Sequence, residues 1–383
     1  MVSNHSRHDR DSVSVSGKDY FKELGVRTFI NAAGTYTRLT GSLLLPEVMH
    51  AMMHASHDYV DLDELQSRVG ERLANLLGCE DTVITSGAAS AITFGTAGVL
   101  TGMDKNKVVQ LPDLTGMKNE VILQKSHRIE FDHAIRACGV RLVEVVTRKE
   151  LENAINENTA MLWFLNTQNY QGEIQDVEFV EIGKKYGIPT FNDAAADLPP
   201  VENLWKYTQM GFDMVAFSGG KGLRGPQSAG LLLGKKKYIQ AARLSMPPHE
   251  NTIGRGMKVN KEEIIGMMVA VEHYLQRDHQ KEWQYWEQQV NLIGDAAKSV
   301  ETVETDIIVP RIANHVPTLR IWWNRDKIDA SADEIRNQLR TGHPSIETVG
   351  TPDMIEITTW MMSPGQERIV ARRINEILKA YLR

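Results

Sequence analysis

Met214-Val215-Ala216-Phe217-Ser218-Gly219-Gly220-Lys221-Gly222-Leu223-Arg224-Gly225-Pro226 is the stretch on which the reading of this chain turns. A short apolar run ends at Phe217, and Leu231-Leu232-Leu233 begins another that closes on Gly234. Between these strand-like runs lies one lysine, on a loop with four glycines and a proline. Glycine lets the backbone approach a ligand closely, and glycine with proline opposes a helix. A lysine fixed in such a loop can lose part of its hydration, which lowers its pKa and makes the amine a usable nucleophile. Taken alone, the loop also reads as a solvent-exposed turn. It does not match the phosphate-loop pattern, because Gly222 follows the lysine.

Upstream of the loop the chain alternates. Thr82–Thr85 predicts a strand, and Ser86-Gly87-Ala88-Ala89-Ser90 opens an apolar helix to about Val99. A strand, a small-residue turn and a helix start make an anion site, because free N–H groups and the positive helix end face one point. The same turn also reads as a helix capped by Ser86. Val121–Leu123, Leu142–Val146, Met161–Leu165 and Pro189–Asp193 predict further strands. Helical patterns over 132–138, 149–155 and 177–186 separate them. Such alternation predicts an α/β fold, with a mostly parallel sheet and helices on both faces. Ligands of such sheets sit at the carboxyl ends of the strands. Ser86, Asn166, Asp193 and the Lys221 loop all fall there.

The domain expectations are a disordered tail over 1–18, an N-terminal arm over 19–55, a large domain over 56–256, and a small α+β domain over 257–383. The small domain is entered through one long helix from Lys261 to about Val300. The charged fraction is 24%, and the net charge of −6 argues against a nucleic-acid partner, which calls for a basic face. Cys79 and Cys138 show no paired spacing, and no apolar run predicts a leader or a membrane span. A cytoplasmic protein is expected. No histidine spacing predicts a metal site.

An anion-binding helix start, an acid and a lysine now stand in order. Pyridoxal 5'-phosphate needs these three: a phosphate cup, a carboxylate for its ring nitrogen and a lysine for its aldehyde. The residues that carry a family likeness are Asn31–Thr35, Thr85–Ser90, Asn192–Ala196, Phe217–Gln227 and Gly254–Lys258. On these the chain resembles the fold-type I pyridoxal phosphate enzymes. The branch is the SelA-like one, with the selenium transferases and D-glucosaminate-6-phosphate ammonia-lyase. The resemblance implies a seven-stranded-type sheet and a homodimer or larger assembly.

It also implies roles. Lys221 corresponds to the lysine bonded to the cofactor, Asp193 to the acid at the ring nitrogen, and Ser86, Gly87 and Ala88 with Ser218 to the phosphate ligands. His127 corresponds to the side chain stacked on the ring, and is a candidate acid for the leaving group. Arg128, Arg224, Arg255 and Lys258 are candidates for an acidic substrate, Arg224 and Arg255 for a distal phosphate. The expected activity is a lyase acting on a 2-amino-3-hydroxy acid such as D-glucosaminate 6-phosphate. A racemase or an aminotransferase shares the first proton abstraction and stays open. A tRNA-dependent selenium transferase and a non-catalytic cofactor-binding protein are the other readings.

Overall fold

The computed structural model describes residues 19–383, so the expected tail lies outside the described residues. Seven strands form the large sheet: β1 Asp81–Thr85, β2 Glu120–Gln124, β3 Arg141–Val145, β4 Thr159–Leu165, β5 Thr190–Asp193, β6 Met214–Ser218 and β7 Gly230–Gly234. Their spatial order is β1-β7-β6-β5-β4-β2-β3. β6, β5, β4, β2 and β3 pair in parallel, whereas β7 is antiparallel to both neighbours. The reversal has a local cause. A parallel return needs a crossover of a dozen or more residues, and the short loop after β6 turns straight back.

Every residue of β4 is buried, as expected for a strand covered on both faces. Neighbouring side chains point to opposite faces. Phe164 therefore packs with Phe179, Val215 and Leu231 on one side. Trp163 packs with Phe191, Met214 and Leu232 on the other. Burying each of these large side chains is worth about 1.5–3 kcal/mol.

Three helices lead into this sheet: α1 Pro46–Ala55, α2 Leu62–Leu77 and α3 Gly87–Thr101. Asp61 accepts the Glu64 N–H at the start of α2, and Gly78 ends it in the left-handed region at φ 64°. α3 is apolar on nearly all sides and is buried, in keeping with its sequence.

The expected long helix is two helices, α4 Lys261–Gln276 and α5 His279–Lys298. Arg277 between them is extended (φ −69°, ψ 147°), and Asp278 accepts the Lys281 N–H to start α5. α4 buries Ile264, Met267, Val271 and Tyr274 in the core of the large sheet. α5 buries Val290 and Ile293 in the C-terminal core. The two cores thus meet at Arg277–Asp278.

The C-terminal sheet has β8 Val303–Ile308, β9 Thr318–Trp323, β10 Val349–Thr351 and β11 Met354–Thr358, antiparallel in the order β10-β11-β9-β8. Helices α6 Ala332–Thr341 and α7 Gln366–Ala380 complete this unit. Its core also takes in Ile30 and Ala32 from the arm. Ile30–Asn31 pairs in parallel with Ile346–Glu347, so the arm is stitched to the C-terminal unit.

Candidate active site

The loop after β6 is closed by its own backbone. Gly219 N–H donates to Ala229 O (2.8 Å), Gly225 N–H to Gly219 O (2.9 Å) and Arg224 N–H to Lys221 O (3.0 Å). A side chain at Gly222 would meet Leu198 O at 2.3 Å, so the loop is pressed against the chain that follows β5. From the other side the arm holds it: Ser42 Oγ donates to Gly220 O (3.1 Å) and Arg224 Nε to Leu43 O (3.1 Å).

Lys221 is thereby fixed half-buried among carboxylates. Burial pulls its amine below the ordinary lysine value, while the charges of Asp193 and Asp197 oppose that fall. Asp193 ends β5 and is 5% exposed, and its Oδ1 accepts the Ala195 N–H at 3.1 Å. Burial raises its pKa, against the pull of that N–H and of Lys221.

Asp197, which the sequence reading did not single out, is also buried. Its Oδ2 accepts Asn166 Nδ2 at 2.6 Å and Tyr207 OH at 3.4 Å, while its Oδ1 is buried without a partner among the described residues. Burial, helped by the charge of Asp193, pushes this carboxyl up to about 7. Its sequence signal was the second acid of Asp193-Ala194-Ala195-Ala196-Asp197. The fold makes it a neighbour by turning the chain just after β5, where Asp197 N–H bonds to Ala194 O.

At the neighbouring strand end, Ser86 precedes α3 without a side-chain hydrogen bond to the helix. The half-buried Ser86, Gly87 and Ala88 therefore leave the first amides of α3 without a side-chain cap. Gly230 lies against this turn: a Cβ there would sit 2.4 Å from Gly87 C and 2.8 Å from Ala88 N. Ser218, half-buried at the end of β6, completes this edge of the sheet.

Other candidates sit differently. His127 is fully buried, with Nδ1 accepting the Leu165 N–H at 3.1 Å and its ring edge-on to Phe164 at 4.5 Å. Burial drops its pKa to about 4, so it is neutral at ordinary pH. It is a packed, hydrogen-bonded ring rather than an open face for stacking or proton delivery. Arg128 pairs with Asp132 (2.5 Å) and with Glu144, which engages its guanidinium within the protein. Arg255 and Lys258 are exposed, and among the described residues their side chains make no hydrogen bond or ion pair.

The architecture, a mixed seven-stranded sheet with a C-terminal antiparallel unit, is that of the fold-type I pyridoxal phosphate enzymes. The profile of the SelA family, L-seryl-tRNA selenium transferase, matches residues 29–304, and the chain belongs to that family. D-glucosaminate-6-phosphate ammonia lyase of Salmonella typhimurium is 32% identical over 337 residues, covering 85% of this chain and 88% of that protein. 5'-C-glycyluridine monooxygenase-decarboxylase of a Streptomyces species is 29% identical over 381 residues, covering 94% of this chain and 92% of that protein. The solved structure of D-glucosaminate-6-phosphate ammonia-lyase superposes with a TM-score of 0.84 at 29% identity, over 95% of this chain and 99% of that one. These relatives are enzymes, and so is this protein.

Proposed function

We propose that this protein is a pyridoxal phosphate-dependent lyase that eliminates the β-hydroxyl of D-glucosaminate 6-phosphate, or of a close amino sugar acid, to give a 2-keto-3-deoxy acid and ammonia. The observation that carries the reading is Lys221, half-buried beside Asp193 and Asp197 at the strand ends next to the bare start of α3. Likeness to the ammonia lyase over most of both chains supports the substrate.

The residues fit the cofactor. A helix start free of any side-chain cap suits a phosphate, a buried acid suits a ring nitrogen and a desolvated amine suits an aldehyde. In this reading Ser86, Gly87, Ala88 and Ser218 hold the phosphate, Asp193 the ring nitrogen and Lys221 the carbonyl carbon. Once bound, the cofactor supplies an electron sink for the charge left when a substrate C–H bond breaks.

The amine of Lys221, freed by the substrate amine, takes the Cα proton. The lowered pKa suits this, because a larger share of the amine is unprotonated near neutral pH. In this reading the resulting ammonium returns the proton to the leaving β-hydroxyl, since His127 is enclosed and neutral. One proton thus leaves Cα, rides on Lys221 and departs as water. Hydrolysis of the product then releases ammonia.

The active assembly in this reading is a homodimer. Exposed apolar side chains recur from Tyr36 to Val60, with Leu43, Met49, Met53 and Tyr59 among them. The two unpaired cysteines suit a cytoplasmic location.

The test is a coupled assay of the holoenzyme with D-glucosaminate 6-phosphate, following ammonia and 2-keto acid. Equal amounts of both are expected, and neither from Lys221→Ala. A near-visible cofactor band without product would reject this substrate. No band after reconstitution would reject the reading altogether.

A further inference from the structure

A second polar cavity lies between the arm and α6. It is an open cleft of about 310 Å³, lined by the exposed Arg38, Asp333, Asn337 and Arg340 and by the more buried Arg336, Glu347 and Thr348. That volume is at the lower end of the range for small-molecule sites. On α6, positions 333, 336, 337 and 340 follow the three- and four-residue spacing of one helix face, which gathers Arg336 and Arg340 on one side. The arm brings Arg38 to them, on the short turn Thr37–Leu39.

The charges do not cancel. Asp333 is engaged by Arg336, and Glu347 by Arg27 at 2.5 Å. The Arg340 side chain makes one neutral contact among the described residues, from Nη2 to Asn337 Oδ1 at 2.9 Å. Among the described residues, the Arg38 side chain makes no hydrogen bond or ion pair. Two guanidinium charges are therefore left without a carboxylate. Arg336 is held in place, with Nη1 donating to Gly350 O at 3.1 Å. Two further polar atoms of the lining, Arg336 Nε and Thr348 Oγ1, are buried without a partner among the described residues. Donors in that state are left unsatisfied unless a ligand or water answers them.

The cavity also connects to the lysine loop through the chain. Thr37 O accepts Gln227 Nε2 at 3.4 Å, and Ser42 reaches Gly220. The arm that carries Arg38 is thus the same arm that holds the loop of Lys221.

We propose that Arg38, Arg336, Arg340 and Thr348 form a phosphate-binding subsite that takes the distal phosphate of the substrate. This rests on the lyase reading above, and it moves the phosphate contact away from Arg224 and Arg255. Arg224 spends its Nε on Leu43 O, and Arg255 stands on an exposed turn. Planar guanidinium groups meet phosphate oxygens through paired N–H donors, which is the arrangement this set offers.

The experiment uses the holoenzyme and its Arg38→Gln and Arg340→Gln variants. KM and kcat are measured for D-glucosaminate 6-phosphate and for unphosphorylated D-glucosaminate. Each variant is expected to raise KM for the phosphorylated substrate about tenfold or more, with kcat and the unphosphorylated substrate little changed. Equal effects on both substrates, or none on either, would overturn the proposal. In parallel, binding of inorganic phosphate is followed by calorimetry. Loss of that binding in Arg340→Gln supports the subsite even where neither sugar acid turns over, which separates its fate from that of the lyase reading. Phosphate binding lost in the variants with KM unchanged would mean a site for a separate phosphate, and would overturn the substrate assignment. An unchanged near-visible cofactor band and unfolding temperature show that the variants remain folded and loaded.

Discussion

Asp197 shows what single residues add to this site. Its carboxyl is held at about 7 in the folded protein, against an ordinary value near 3.8. Between about pH 4 and 7 the folded chain therefore keeps a proton that the unfolded chain has lost. The sign follows: this group stabilises the protein at low pH, and that stability is lost as pH rises through the folded value. Its slope is at most about 1.4 kcal/mol per pH unit, one proton's worth. Asp193, Lys221 and Tyr207 are the titratable groups around it; all three remain in an Asp197→Asn variant, with Lys221 and Tyr207 losing the pull of the Asp197 charge. Urea unfolding of the apoprotein from pH 4 to 8 should show the variant gaining on the wild type up to about pH 7, then running parallel. Curves parallel throughout would place the proton elsewhere. At this scale the sequence was partly legible. Lys221 and Asp193 stood out because strand ends and a glycine loop mark them. Asp197 and Arg38 did not, since their neighbours come from Asn166, Tyr207 and α6, far away in the chain. His127 looked available because nothing local signals that β4 encloses it.

Between elements, β7 lies directly against the start of α3. Gly230 has no room for a side chain, because its Cβ would fall 2.4–2.8 Å from the backbone of Gly87 and Ala88. That backbone cannot yield as a flexible side chain would. Gly230→Ala should push the helix start away from the sheet and cost about 1–3 kcal/mol in denaturant unfolding. Cofactor affinity should fall more than tenfold, read by titrating the apoenzyme and following the near-visible band. Unchanged affinity would mean that the turn at Ser86–Ala88 does not hold the phosphate. The strands and helices themselves were largely readable, because apolar runs and capping residues such as Asp61 and Gly78 act locally. The α4–α5 break was not. Neither Gly nor Pro marks it, and Arg277 there holds two local partners, Glu282 at 2.7 Å and the Tyr274 ring at 5.0 Å, and one distant one, Gly222 O at 3.4 Å.

The whole molecule leaves apolar surface uncovered where the arm and α1 run. Leu43 is 61% exposed, Tyr59 is fully exposed, and Met49 and Met53 lie outward on α1. α1 turns its one buried side chain, Val48, inward, and Gly266 of α4 approaches Met52 closely enough to fix the helix in place. The outer methionines are therefore presented on a rigid support. Large exposed apolar patches mark interaction sites, and methionine suits an interface that must adapt its packing. In the proposed reading the partner is a second copy of the chain. It would cover the arm whose Ser42 and Leu43 brace the lysine loop, so association and catalysis should fall together. Sedimentation should give twice the chain mass of 43.1 kDa for the wild type. Met53→Asp with Tyr59→Asp should shift the equilibrium toward the single chain and lower kcat, with far-UV dichroism unchanged. A wild-type protein that sediments as one chain and is fully active at nanomolar concentration would remove the dimer from the reading. The exposed methionines would then call for a different partner.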